Sequence, residues 1–193
     1  SNASGFRHLK VFRDQLFGLG AKGPGYTVTE TTIGNEANKI TGLINNFVDI
    51  LHGSEVYQPD YWPFLWEVGR GDGQKAIGLG VLGDVALLLF KENSTYYLSG
   101  SSPDNYIVRI MDTNAGCVNE STIQETPVGV IVLDASGFVL FNKIGQGSKI
   151  STQIQDVIDN IQFQYSDNFY SAYDPRDRRY YCAVTIPGSQ LPN

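Results

Sequence analysis

The chain is short of the residues that most often carry chemistry. It has two histidines, two cysteines and one methionine in 193 residues. Cys117 and Cys182 form no CxxC pair, so neither a disulfide scaffold nor a thiolate zinc site is indicated. Both read as small buried apolar side chains. His8 and His52 lie in no HExxH setting, and no GxSxG elbow is present. The sequence therefore offers no support for a Ser–His or Cys–His triad. Charge is scarce as well: 18% of residues are charged, and the formal net charge is −6. A surface that tracks nucleic-acid phosphates normally carries a basic stripe, which this balance argues against. No long apolar run occurs either. The longest, Val85 to Phe90, is of strand length and falls far short of the ~20 residues that span a bilayer.

What is abundant points to strands. There are 21 glycines, 11 tyrosines and 10 phenylalanines, and 41% of the chain is hydrophobic. Aromatic and β-branched residues suit a pleated, half-buried surface, and glycine supplies tight turns. The length suits a single domain with a sizeable core. Ser1-Asn2-Ala3 reads as the remnant of a cleaved affinity tag. Residues 4–193 are then expected to form one β-rich domain, or a fragment of a larger chain.

One unit recurs along the sequence: a short apolar strand, a polar turn, and a second apolar or aromatic strand. Val85–Phe90 turns through Lys91–Ser94 into Thr95–Leu98. Val130–Leu133 turns through Asp134–Gly137 into Phe138–Phe141. Ser171–Tyr173 turns through Asp174–Arg178 into Arg179–Val184. An earlier hairpin, Leu9–Phe12 and Leu16–Leu19, turns at Arg13. The later turns begin about 40 residues apart, the spacing of β-propeller blades. A lone hairpin is marginal in water, and blades bury both faces by stacking on neighbours. Inner strands then read as unbroken apolar runs. The expected fold is thus mainly β, with propeller-like stacked antiparallel blades, and a β-sandwich is the alternative. Tyr26–Thr31, Ala76–Gly80 and Ile107–Met111 are further expected strands.

Two stretches follow a different period. Ile40, Leu43, Ile44, Phe47, Val48 and Leu51 recur at spacings of three and four, which predicts an amphipathic helix over Glu36–His52 with Asn35 and Gly53 as caps. The competing reading is a hairpin of Val48–Leu51 with Val56–Tyr57, turning at His52. Ile154, Val157, Ile158 and Ile161 predict a second short helix over Ser151–Ile161, with Ser151 as its N-cap.

Few residues select a site. Gly145–Lys149 lacks P-loop spacing, and Gly69–Gly73 reads as a turn. Asp134–Gly137 resembles part of a calcium or Asp-box turn without its companion positions, so it too reads as a turn. No metal or cofactor is expected. Among Glu55, Asp60, Glu67, Asp72 and Asp84, no spacing picks out the paired carboxylates of a glycoside hydrolase. Asp60 beside Tyr61, Trp62 and Trp66 is a one-sided hint of sugar stacking. The aromatic run Tyr61, Trp62, Phe64, Trp66 and the basic cluster Arg176, Arg178, Arg179 are the interface candidates. The cluster also contains Asp174 and Asp177, which would neutralise the turn locally.

The order of segments resembles a known kind of protein. Leu9–Phe17, then Asp72–Gly80 with Asp84–Lys91 and Ser94–Ser99, then Ser121–Asp134 with Gly137–Phe141, then Lys149–Ser151 with Tyr173–Asp174 and Arg179–Tyr181, are similar to successive propeller segments of bacteriophage tail tubular or nozzle proteins. The resemblance covers most of residues 6–186. It departs from that family in length, since nozzle proteins are much longer, and at residues 36–52, which match nothing there. It implies a non-enzymatic virion part. Such a part assembles with copies of itself and with neighbouring virion proteins, and lets DNA pass without specific binding or any membrane. The acidic charge suits a lumen through which DNA slides. The alternatives are a carbohydrate-binding or carbohydrate-active propeller, and a propeller serving as a protein-interaction platform.

Overall fold

The computed structural model describes residues 5–22 and 49–188. The fold is mainly β, built as four antiparallel sheets. The first sheet contains β1 (Gly5–Phe12), β2 (Gln15–Lys22), β3 (Ile50–Gly53) and β4 (Phe64–Glu67). The second contains β5 (Ala76–Leu82), β6 (Ala86–Lys91), β7 (Thr95–Ser99) and β8 (Ile107–Asp112). The third contains β9 (Gln124–Thr126), β10 (Gly129–Asp134), β11 (Gly137–Phe141) and β12 (Ser148–Lys149). The fourth is the pair β13 (Tyr170–Asp174) and β14 (Arg179–Ala183). Within each sheet the strands lie side by side in chain order.

Apolar alternation stacks these sheets. Every residue of β6 is buried. Leu87 and Leu89 pack with Phe12, Phe17, Leu19 and Leu51 of the first sheet. Leu88 and Phe90, on the opposite face of β6, pack with Val130, Val132, Val139 and Phe141 of the third. In β10 the next residue, Leu133, turns the other way and meets Phe169, Cys182 and Val184. Successive side chains point to opposite sides of a strand, so a strand buried between two sheets must be apolar at every position.

The first strands of the sheets meet along one edge. Glu125 Oε1 on β9 accepts from the Val81 N–H of β5 at 2.6 Å and lies 2.8 Å from Lys10 Nζ on β1. Gln124 Nε2 donates to the Ser171 carbonyl of β13 at 3.1 Å.

The four expected hairpins are present, as are the strands over Ala76–Gly80 and Ile107–Met111. The expected strand over Tyr26–Thr31 and most of the helix expected over Glu36–His52 lie outside the described residues. The end of that helix is corrected. Ile50–Gly53 is a strand, pairing Leu51 with Leu19 and Trp66. The competing hairpin is corrected too, because His52 sits inside β3 opposite Leu65 rather than at a turn. A short apolar run fits either period, and two waiting strand partners decided it.

The second predicted helix shrinks to one 3-10 turn at Thr152–Ile154 followed by α1 (Gln155–Ile158). Ser151 does not cap it through its side chain. Its hydroxyl instead accepts from the Phe138 N–H of β11 at 3.0 Å.

Candidate functional site

The surfaces best placed to act are the two ends of the stack. On the outer side of the first sheet, the register sets Leu9 opposite Gly18, Val11 opposite Leu16, and His52 opposite Leu65. Directly opposed residues share a face, so these side chains form one surface turned away from the second sheet. Leu9, Val11 and Leu65 are 52%, 63% and 52% exposed. The Phe6 ring lies over Gly18, where a Cβ would come within 2.6 Å of it, and packs at a tilt against His52 and Trp62. At the rim, a shallow hollow of about 400 Å3 is lined by Val11, Asp14, Leu16, Tyr57 and Pro59, among others.

The fourth sheet forms the other end. Tyr181 pairs with Ala172, and both face away from the third sheet, while Cys182 and Tyr180 face toward it. Tyr170 and Tyr181 are well exposed. The turn between β13 and β14 carries Arg176, Arg178 and Arg179.

The aromatic interface candidates divide between two sides of the first sheet. Phe64 and Trp66 on β4 turn inward. Trp66 lies 5.9 Å from the rings of Phe17, Phe64 and Tyr106 and packs against the core between the first two sheets. Trp62 packs at a tilt against Phe6 at the outer face, and Tyr61, next to it in the chain, is exposed. Arg176, Arg178 and Arg179 are exposed together. Asp174 accepts the Arg176 backbone N–H at 2.8 Å, and Arg178 adopts a φ of 54°. Among the described residues, none of the three guanidinium groups makes an ion pair with Asp174 or Asp177. The three arginines and the two aspartates thus share one surface turn, with Asp174 directly opposite Arg179 in the register.

Leu9, Val11, Leu65 and Tyr170 were not singled out by the sequence as surface candidates. The signal for the first two was present. In β1, Leu9 and Val11 alternate with His8 and Phe12, so both faces of the strand carry side chains suited to burial.

The titratable groups are arranged for structure. Cys117 is fully buried, with its Sγ 3.1 Å from the Asn119 carbonyl, and burial pushes its thiol up to about 12. Burial likewise raises Cys182. Burial lowers His52 to about 4, which leaves it neutral at pH 7. His8 Nδ1 lies 2.8 Å from Glu120 Oε2. Of the carboxylates weighed for sugar chemistry, Glu67 pairs with Arg70 and Asp72 is held by Lys91. Asp134 accepts from Gly116 and Ser136, so the Asp-box-like segment is a turn anchor. Among the described residues, no group of three or more His, Cys, Asp or Glu gathers for a metal ion, and no helix is long and apolar enough to cross a membrane.

No family model matches this chain, and no curated protein matches it.

Proposed function

We propose that this chain is an arc of β-propeller blades that works as a structural part, through its sheet faces, in a virion tail or nozzle assembly. The observation that carries the reading is the order of the stack. Three up-and-down four-stranded sheets and a two-stranded one follow each other in sequence, and their first strands β1, β5, β9 and β13 come together along one edge. This order supports the propeller reading, in which the first strands of the blades surround a central channel. In a β-sandwich only two sheets share one core.

The edge where the first strands meet also suits passage of DNA. Lys10 is taken by Glu125, and His8 faces Glu120. The Lys10 ammonium there is matched by a carboxylate rather than offered to phosphates, and a net charge of −6 works in the same direction. In this reading the exposed apolar ends of the stack are covered by other copies or by neighbouring virion proteins.

Sequencing the reading frames that flank the gene tests the virion assignment. Portal, terminase and tail genes alongside are the expected result. A neighbourhood of sugar-uptake or polysaccharide-degrading genes would overturn it in favour of a carbohydrate-active propeller.

A further inference from the structure

We propose that two copies of this chain close head to tail into one ring. The outer face of the fourth sheet in each copy packs on the outer face of the first sheet in the other. The proposal rests on the arc reading above and names the surfaces that the assembly uses.

The chain's own packing is the first argument. Each internal junction buries an apolar face of one sheet against an apolar face of the next. A stack that ends in solvent needs a polar outer face on its terminal units. Among the described residues, the outer faces of the first and fourth sheets expose apolar or aromatic side chains alongside charged ones such as Glu67 and Arg179. Leu9, Val11 and Leu65 are exposed at one end, and Tyr170 and Tyr181 at the other. A second copy supplies the missing neighbour at both ends.

Charge gives the second argument and sets the orientation. Arg176 and Arg178 in the turn between β13 and β14, with Arg179 at the start of β14, outnumber the two aspartates there, Asp174 and Asp177. The equivalent turn of the first sheet carries Asp14. The loop holding Glu55 and Asp60 is tied to that turn, because Tyr57 donates its N–H to the Asp14 carbonyl at 3.2 Å and its hydroxyl to Asp14 Oδ2 at 3.1 Å. Docking one end on the other sets a basic turn beside an acidic one. An arginine at such a turn already bridges two sheets within the chain: Arg13, at the turn of the first sheet, reaches across to the backbone carbonyls of Asp84 and Gly100, in the connections of the second.

Closure is the third argument. Two four-sheet arcs make a ring of eight, within the range of roughly 4 to 8 blades that close. The two junctions are identical by two-fold symmetry, so no apolar end remains to propagate a filament.

The test is sedimentation velocity with light scattering on the full chain at micromolar concentration. A closed dimer of twice 21.3 kDa is expected. Val11→Glu and Tyr181→Glu lie at exposed positions, and circular dichroism confirms that each variant folds. Each alone should weaken dimerisation by at least about tenfold. Mixing the two variants should restore a heterodimer, because one intact face of each kind remains. Arg178→Glu should weaken the dimer, and adding Asp60→Arg on the same chain should recover it.

A wild-type monomer would overturn the proposal, as would open-ended growth or a Tyr181→Glu protein that dimerises normally. The ring and the virion assignment fail separately. A monomer encoded beside tail genes would sink only the ring, and a dimer encoded far from any particle gene would sink only the virion reading.

Discussion

The Lys91 ammonium lies 2.6 Å from Asp49 Oδ1 and 2.9 Å from both oxygens of Asp72, and it donates to the Gly69 carbonyl at 3.1 Å, while its side chain is 1% exposed. A buried cation persists only when its hydrogen bonds are met, and removing it leaves two carboxylates facing each other. Lys91→Met is therefore expected to cost about 3 kcal/mol in urea unfolding at pH 7. Asp72 shows the balance of forces. Burial opposes its charge, yet Lys91, the Gln74 N–H and the Tyr96 hydroxyl together hold it below the ordinary carboxylate range. Its contribution is present above the unfolded value and fades as pH falls through the lower folded one. His52 acts in a higher window. Its folded pKa is depressed by burial to about 4 from 6.5. As pH falls between those values, the unfolded chain takes a proton that the folded chain refuses, so stability declines. His52→Leu is expected to flatten that part of the stability–pH curve, read by urea titrations at pH 7 and pH 4.5. None of this could be read from sequence. Asp49 and Asp72 stand 42 and 19 residues before Lys91, and only the fold brings them together.

Among the elements, β6 and β1 differ sharply in burial. Leu88 of β6 is fully enclosed between the second and third sheets, whereas Leu9 of β1 is half exposed on an end face. Leu88→Ala is expected to cost about 2–5 kcal/mol. Leu9→Ala should change the stability of the isolated chain by less than about 0.5 kcal/mol. Thermal denaturation of the two variants side by side checks the contrast. Hairpins were the legible elements, since strand, polar turn and strand lie next to each other in the chain and the pairing is local. β3 was not legible. The three-and-four spacing that ends at Leu51 fits a helix face, while the partners that make it a strand, Leu19 and Trp66, lie far away in sequence. Ser151 illustrates the same limit: it occupies a capping position, but its hydroxyl is taken by β11. The first turn has a different character. Arg13 and Asp14 both adopt positive φ, 48° and 59°, which glycine or asparagine would accommodate more easily. The Arg13 guanidinium, clamped on two carbonyls of the second sheet, accounts for the choice.

For the whole molecule, the spacing of about 40 residues foretold successive sheets and their stacking. It did not foretell where the stack exposes apolar surface. The aromatic run at residues 61–66 looked like one patch, but alternation in β4 sends Phe64 and Trp66 inward, while Trp62 lies before the strand and packs against Phe6. The arginine cluster stayed on the surface, beside the exposed Tyr170 and Tyr181 of the fourth sheet. The central claim is that successive first strands converge on one edge, as the proposed propeller arrangement requires. The Lys10–Glu125 pair reports on it directly, because it joins β1 to β9 across the intervening β5 at 2.8 Å. A zero-length carbodiimide turns such a pair into an amide between Lys10 Nζ and the Glu125 carboxyl, which peptide mass spectrometry can locate. The account predicts that this cross-link forms within a single chain and is lost in Glu125→Gln. A Lys10 that couples only to other carboxylates would contradict it.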